Sequence, residues 1–320
     1  MIKIGIPRAL LYYWYGLAWK TFLQEIGLTP LISGPTGKTI LNAGVKAAVD
    51  EVCLPVKVFL GHSLELITQC EALLIPRFVS ICKNEYICPK FMGLPEMTRQ
   101  AVGKNQLLIW KSEKNCFWGS IKALPQEIST GYKRKTIKKG LKKAEEVLTE
   151  YHRLLQRGLL PMEAEVTLLK GITPRTEKSS RSIGLIGHPY CLYDSYLNLD
   201  TIDLLRNKGF KVLVPEMFSR RQLEIELADL SKPLFWTLGQ RILGSFRLMW
   251  KQGVEGVIYL SAFACGPEAL IGELVKKEGK AVGMPLLQLD LDEHSGEAGV
   301  ITRMEAFLDL LSRKRRYNCV

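Results

Sequence analysis

The chain has 320 residues, which suits about two domains of ordinary size. Its 47% hydrophobic and 24% charged residues are typical of a globular protein, and no apolar run approaches the roughly 20 residues of a membrane span. The net charge of +12 raises the question of an anionic partner. Much of this charge lies on one helix-like segment, made of Lys133, Arg134, Lys135, Lys138, Lys139, Lys142 and Lys143. A solvated helix face explains this pattern better than a binding site, so nucleic acid is not expected as a partner.

The first elements form a strand, a helix and a second strand. Residues 2–7 have the pattern of a strand, residues 12–26 that of a helix closed by Gly27, and residues 29–32 that of another strand. This order predicts a parallel sheet with right-handed crossovers. The chain enters its first strand directly and shows no signal-peptide pattern, so we expect a cytoplasmic protein without membrane contact.

The second half of the chain repeats this opening. A strand begins at Ser182, a helix covers residues 197–207, Gly209 ends it, and a strand follows at residues 211–215. The repetition predicts an α/β protein with two Rossmann-like, doubly wound parallel-sheet domains that face a central cleft and are joined by a helical connector. The predicted segments are an N-terminal α/β domain at 1–110, a helical connector and linker at 111–181, and a C-terminal α/β domain at 182–320.

Three cysteines stand at predicted loop-to-helix junctions, each one or two residues before a proline. They are Cys53, Cys88 and Cys265. Proline is favoured in a first helical turn, and the helix N-terminus favours an anionic sulfur. Eight sparse cysteines do not make a disulfide scaffold, so a shared metal site is the functional interpretation and a buried thiol the structural one. Thiolates brought together by the fold suit an iron–sulfur cluster, although zinc would also fit them.

Further candidate ligands carry weaker signals. Cys191 is the best candidate for an additional ligand and Cys82 the next, although a core or surface thiol with no ligand role explains each of them equally well. His62, His188 and His294 could each serve as ligand, acid or base, but a lone histidine is more often structural. His294, which lies in an acidic loop, is the most interesting of the three.

The cysteine segments together resemble a known family, the acyl-CoA dehydratase activase-related proteins, which belong with the 2-hydroxyacyl-CoA dehydratases and double-cubane-cluster proteins of anaerobes. The resemblance covers nearly the whole chain and is weakest over the connector. Four motifs carry it: Asp50-Glu51-Val52-Cys53-Leu54-Pro55-Val56-Lys57, Tyr86-Ile87-Cys88-Pro89-Lys90, Ala264-Cys265-Gly266-Pro267, and Asp292-Glu293-His294-Ser295-Gly296-Glu297-Ala298-Gly299.

The resemblance implies an oxygen-sensitive iron–sulfur cluster between two Rossmann-like domains, with Cys53, Cys88 and Cys265 as its ligands. The cluster would be of the [4Fe-4S] or double-cubane type, and a six-cysteine double cubane would also need Cys82, Cys191 and one more. Electrons would come from an ATP-dependent iron–sulfur activase and serve a reductive or radical dehydration. Because this chain has no recognisable ATP-binding motif, the activase would be a separate chain. A homodimer, or a heterodimer with a related subunit, agrees with the resemblance, and a non-catalytic zinc-binding or cluster-carrying scaffold remains the alternative.

Overall fold

A computed structural model describes residues 2–103, 107–112, 123–173, 179–293 and 297–318, without the side chains of 297 and 314–318. The chain forms two compact units. Unit 1 comprises Met1–Pro174 and Leu234–Leu238, and unit 2 comprises Arg175–Pro233 and Gly239–Val320. Each unit is built on a four-stranded, all-parallel sheet with flanking helices. The predicted α/β class with two Rossmann-like domains is therefore confirmed.

Unit 1 has the strand order β2-β1-β3-β4. Its strands are β1 (Lys3–Ile6), β2 (Thr29–Ile32), β3 (Ala72–Phe78) and β4 (Leu107–Ser112). Its helices are α1 (Tyr12–Glu25), α2 (Lys38–Ala47), α3 (Leu54–Ile67), α4 (Pro89–Met92), α5 (Leu94–Val102), α6 (Gln126–Gly131), α7 (Arg134–Gln156) and α8 (Pro161–Lys170). The central strand β3 is buried along nearly its whole length, as expected for a parallel strand covered on both faces.

Unit 2 has the equivalent order β6-β5-β7-β8. Its strands are β5 (Ser182–Gly187), β6 (Lys211–Leu213), β7 (Val257–Ala262) and β8 (Leu286–Leu291). Its helices are α9 (Pro189–Leu192), α10 (Ser195–Asn198), α11 (Thr201–Asn207), α12 (Arg220–Glu226), α13 (Thr237–Lys251, which begins in unit 1), α14 (Gly266–Ala281) and α15 (Glu297–Asn318), with a 3₁₀ turn at Pro215–Met217.

The two sheets also share a pattern of backbone hydrogen bonds at the entry of their strands. In each unit the second strand bonds to the residue before the first strand, and a residue one or two positions before the third strand bonds to the first residue of the first strand. The four bonds are Thr29 N to Ile2 O (2.9 Å), Lys211 N to Arg181 O (2.8 Å), Glu71 N to Lys3 O (3.0 Å) and Glu255 N to Ser182 O (2.8 Å). The repeated opening seen in the sequence thus corresponds to repeated geometry.

The helices between residues 126 and 170 group with unit 1. The long helix α7 packs against α1, and the Tyr151 hydroxyl donates a hydrogen bond to the Tyr13 carbonyl at 2.6 Å. The division into segments 1–110, 111–181 and 182–320 stays a prediction. Within the described ranges, none of the helices combines the length and the apolar character that crossing a membrane requires.

The sheet order determines where polar side chains collect. In each unit the chain reverses its direction of travel across the sheet between two central strands, β1 and β3 in unit 1 and β5 and β7 in unit 2. Ligands of open α/β sheets bind beyond the carboxyl ends of the strands at such a switch point. In unit 2 the two strand exits at this point carry His188 and Cys265.

Candidate functional site

Cys265 stands between β7 and α14. It occupies the N-cap position of α14, and its carbonyl accepts a hydrogen bond from the Ala269 N–H at 3.0 Å. The preceding Ala264 has a left-handed backbone with φ of 61°, a conformation that costs a non-glycine residue about 1 kcal/mol. The side chain of Cys265 is buried. The strained backbone at Ala264 therefore places Cys265 at the carboxyl end of β7.

His188 reaches the same edge from the neighbouring strand β5. The residue before it, Gly187, has φ of 153°, and a Cβ atom there would lie 2.3 Å from the Leu260 carbonyl oxygen of β7. Only glycine allows this close approach of the two strands. The imidazole that follows is buried, with 3% of the residue exposed.

Glu268, in the first turn of α14, connects the two strand exits. Its carboxylate accepts hydrogen bonds from the Ala262 N–H at 2.7 Å and from the His188 N–H at 3.0 Å. The residue is fully buried, and its own carbonyl accepts a hydrogen bond from the Tyr259 hydroxyl at 2.7 Å. A single carboxylate thus fixes the ends of β5 and β7 relative to α14.

Together His188, Cys265 and Glu268 form what we call the unit 2 donor cluster. His188 Nδ1 lies 3.1 Å from Glu268 Oε1 and 4.0 Å from Cys265 Sγ, and one donor atom from each residue lies within 4.8 Å of the other two. No second group of three His, Cys, Asp or Glu donors with this spacing occurs in the part of the chain that the structure describes. Nitrogen, sulfur and oxygen donors in one place are a combination that can bind a metal ion.

The electrostatics of the cluster follow from its burial. Burial lowers the pKa of His188 to about 3, so its imidazole is neutral near pH 7. Burial raises the pKa of Glu268 to about 7, and the Asp290 charge contributes in the same direction. The pKa of Tyr259 is also raised, first by burial and then by Glu268, Cys265, Cys191 and Asp290. Burial is therefore the largest cause of all three shifts.

The other two cysteines of the predicted ligand set belong to unit 1. Cys53 is buried at the N-cap of α3, and its carbonyl accepts hydrogen bonds from the second and third helical residues, Val56 and Lys57. Cys88 is partly exposed at the N-cap of the short helix α4. The Lys90 ammonium lies 3.4 Å from the Glu51 carbonyl oxygen, which joins the two cysteine segments. The ligand role of Cys53, Cys88 and Cys265 stays a prediction.

Close packing of α2 on α3 sets the position of the Cys53 helix. A Cβ atom on Gly44 would lie 1.8 Å from the Lys57 carbonyl oxygen, and one on Gly61 would lie 2.0 Å from the Ile40 carbonyl oxygen. The two helix backbones therefore touch, which only paired glycines permit.

The remaining candidates are dispersed. Cys191 is buried in α9 of unit 2, whereas Cys82 is partly exposed in the loop after β3 of unit 1. His62 is fully buried in α3, where its Nε2 lies 2.9 Å from the Thr36 hydroxyl, and His294 lies outside the described residues. None of the described cysteines forms a disulfide; these are Cys53, Cys70, Cys82, Cys88, Cys191 and Cys265.

Sequence reasoning missed Glu268 and treated His188 as a lone histidine. A signal was available: His188-Pro189 repeats the Cys88-Pro89 junction, and Glu268 is an acidic residue in an otherwise apolar first turn. His188 and Glu268 come together because β5 and β7 are neighbours in the sheet, and the spacing of residues along the sequence does not predict this pairing.

Comparison with known proteins gives one result. The sequence model of a family described as CoA enzyme activase uncharacterised domain (DUF2229) matches residues 3–218, more than half of the chain. The match includes Cys53, Cys88 and His188 and ends before Cys265. No curated protein matches the chain.

Proposed function

This chain belongs to the CoA enzyme activase uncharacterised domain family, and we propose that it is an iron–sulfur protein of the 2-hydroxyacyl-CoA dehydratase type. In this proposal Cys53, Cys88 and Cys265 supply thiolate ligands to the cluster. A separate ATP-dependent activase delivers low-potential electrons, which serve a reductive or radical dehydration.

One observation carries the proposal: each of the three cysteines is the N-cap residue of a helix. The first N–H groups of a helix lack intrahelical acceptors, and the helix dipole places positive charge at that end. Both effects favour a thiolate over a thiol, and iron–sulfur clusters bind thiolates. The donor chemistry therefore fits the group.

The chain's own residues supply charge compensation as well as sulfur. Lys57, four residues after Cys53 in α3, is buried with 6% of the residue exposed. Its backbone N–H donates a hydrogen bond to the Cys53 carbonyl at 3.3 Å, so the two residues lie in the same helical turn, and a buried cation there would offset negative charge that is costly to remove from water. A cluster of the [4Fe-4S] or double-cubane type would supply one-electron chemistry, with Cys191 and Cys82 as the candidates for additional ligands.

The test is metal analysis of protein purified without oxygen. We expect iron and acid-labile sulfide in similar amounts and a brown protein, because bridged clusters contain both elements. Cys53→Ser, Cys88→Ser and Cys265→Ser should each lower the iron content. Cys70→Ser is the matched control, since the Cys70 thiol donates a hydrogen bond to the Leu66 carbonyl at 3.1 Å and caps no helix.

Two results would contradict the proposal. One is an anaerobic preparation that contains neither iron nor sulfide. The other is zinc that stays bound in air with no visible absorption, which would indicate the zinc-binding scaffold instead.

A further inference from the structure

We propose that the metal atom bound by Cys265 is also bound by His188 Nδ1 and the Glu268 carboxylate. The unit 2 donor cluster would then be a mixed nitrogen, sulfur and oxygen site for a borderline divalent ion, iron(II) or zinc(II). The inference rests on the proposed function in one respect, that Cys265 binds metal, and it requires neither Cys53 nor Cys88.

The distances suit one ion. Around a tetrahedral ion with zinc-like bond lengths, nitrogen, oxygen and sulfur donors lie roughly 3.4–3.6 Å apart. Here the nitrogen-to-oxygen distance is 3.1 Å, the nitrogen-to-sulfur distance is 4.0 Å, and all three atoms fall within 4.8 Å. Small side-chain rotations bring them into one coordination sphere. In an iron–sulfur cubane each iron normally takes a single protein ligand, so this spacing indicates a site-differentiated iron or a separate ion rather than simple cluster ligation.

The buried acid of the cluster favours a cation. Glu268 is fully buried, and buried charges in proteins are paired or bind metal ions. Its carboxylate lies 3.1 Å from His188 Nδ1, so an ion bound between these two atoms would pair with the acid.

The ligand atoms retain the capacity to bind. A carboxylate accepts about four hydrogen bonds; the Ala262 and His188 N–H groups use two of these positions on Glu268, and the Cys265 thiol uses a third that a bound metal ion would replace. The Tyr190 hydroxyl lies 2.5 Å from His188 Nδ1 and competes with the ion for the same nitrogen. Removal of this hydroxyl should therefore strengthen ion binding at the cluster, whereas it would leave an ion bound elsewhere in the chain unaffected.

Three protein donors are typical of sites that keep one coordination position for water or substrate. The unit 2 donor cluster would accordingly hold a reactive ion rather than a closed structural one.

The experiment uses the full chain after treatment with a chelator under anaerobic conditions, titrated with cobalt(II), iron(II) or zinc(II) alone. Wild-type protein should bind about one ion that depends on this cluster, and cobalt(II) should show the near-ultraviolet thiolate-to-metal absorption of a cysteine ligand. His188→Gln and Glu268→Gln should weaken binding by at least about tenfold. Cys265→Ser should abolish the thiolate band, and Tyr190→Phe should bind the ion more tightly than wild type. His62→Gln, which alters a buried histidine of unit 1, is the matched control and should bind normally.

The outcomes separate this inference from the proposed function. If Cys53→Ser and Cys88→Ser protein keeps the ion while the unit 2 variants lose it, and no sulfide is found, the inference stands and the iron–sulfur proposal fails. If folded His188→Gln and Glu268→Gln proteins bind metal like wild type, the inference is overturned whatever the cysteine variants do. Should either variant fail to fold, Tyr190→Phe decides, because ion binding tighter than in wild type supports the inference and unchanged or weaker binding contradicts it.

Discussion

The two units share a sheet order and a hydrogen-bond pattern, yet they differ at their cysteine-bearing helix starts. In unit 1 the first turns of α3 contain the buried base Lys57 after Cys53, whereas in unit 2 the first turn of α14 contains the buried acid Glu268 after Cys265. The residues that follow the first strand of each unit also differ in charge, because the basic residue Arg8 follows β1 whereas His188, which is neutral near pH 7, follows β5. Topology thus places a cysteine-bearing helix start in each unit, and local side chains decide whether a buried base, Lys57, or a buried acid, Glu268, follows the cysteine.

The comparison between the two units can be tested first by variants that disrupt the packing of each unit separately. Gly61→Ala would put a methyl group 2.0 Å from the Ile40 carbonyl oxygen in unit 1, and Gly187→Ala would put one 2.3 Å from the Leu260 carbonyl oxygen in unit 2. Each substitution should cost about 3 kcal/mol in the free energy of unfolding, because backbone cannot move aside as a flexible side chain can. Hydrogen–deuterium exchange should show the loss of protection in the altered unit.

The matched controls are Gly131→Ala and Gly299→Ala, since a Cβ atom at either position meets nothing within 4 Å. Equal destabilisation by the controls and by the clashing variants would show that the close approaches are not what determines these positions.

The second prediction concerns the buried histidine of unit 1. Burial lowers the pKa of His62 to about 4, with a further contribution from Arg8, against about 6.5 in the unfolded chain. The unfolded state then binds more protons between pH 6.5 and pH 4, so stability is full above this window and falls as the pH drops through it. The slope should approach at most about 1.4 kcal/mol per pH unit.

His62→Gln should flatten this acid-side decline in unit 1, measured as denaturant midpoints of metal-free protein at several pH values. His152→Gln is the control, because that histidine lies on α7 with part of its surface exposed. A decline in unit 1 that is as steep in His62→Gln as in wild type would assign the acid sensitivity to other groups.

The smallest expected effect lies at the strand entry of unit 2. Arg181 donates hydrogen bonds to both carboxylate oxygens of Glu255 and its guanidinium lies 4.0 Å from the centre of the Phe210 ring. Lysine cannot reproduce the bidentate and stacked geometry, so Arg181→Lys should cost about 1 kcal/mol. In unit 1 the equivalent acid, Glu71, accepts instead from the Lys3 backbone N–H at 2.7 Å.

Arg220→Lys provides the comparison, since Arg220 pairs with Glu224 one helical turn away on an exposed surface and should contribute only a few tenths of a kcal/mol, about 0.3. Chemical denaturation of the two variants should rank them in this order. The reverse ranking would show that the strand-entry contacts do not distinguish unit 2.

Much of the fold follows from local pattern. Strand β2 has the predicted bounds, and the two strand–helix–strand openings give the parallel sheets. The sequence pattern predicts one continuous helix over residues 197–207, whereas the structure has a break between α10 and α11. Leu199 and Asp200 form this break with left-handed backbone (φ of 54° and 51°), which their residue types do not indicate. Strand β4 is not among the predicted elements; its buried residues alternate with partly buried and exposed ones, unlike the nearly continuous burial of β3.

The residues of the candidate site likewise divide into those that local sequence pattern predicts and those that it does not. Proline placed Cys53, Cys88 and Cys265 at helix starts, because a proline in a first turn is a local signal. Glu268 and His188 lie 80 residues apart and meet through the pairing of β5 with β7, so nothing local to either residue announces the contact. Long-range pairing of this kind is what sequence patterns do not contain.

The most direct test of the central claim is the iron and acid-labile sulfide content of anaerobically purified protein, measured together for wild type, Cys53→Ser and Cys265→Ser. Bound iron with matching sulfide that falls in both variants is the predicted result, because Cys53 and Cys265 are both proposed ligands of the cluster. Wild-type protein with no iron, or iron and sulfide unchanged by both substitutions, would contradict the account.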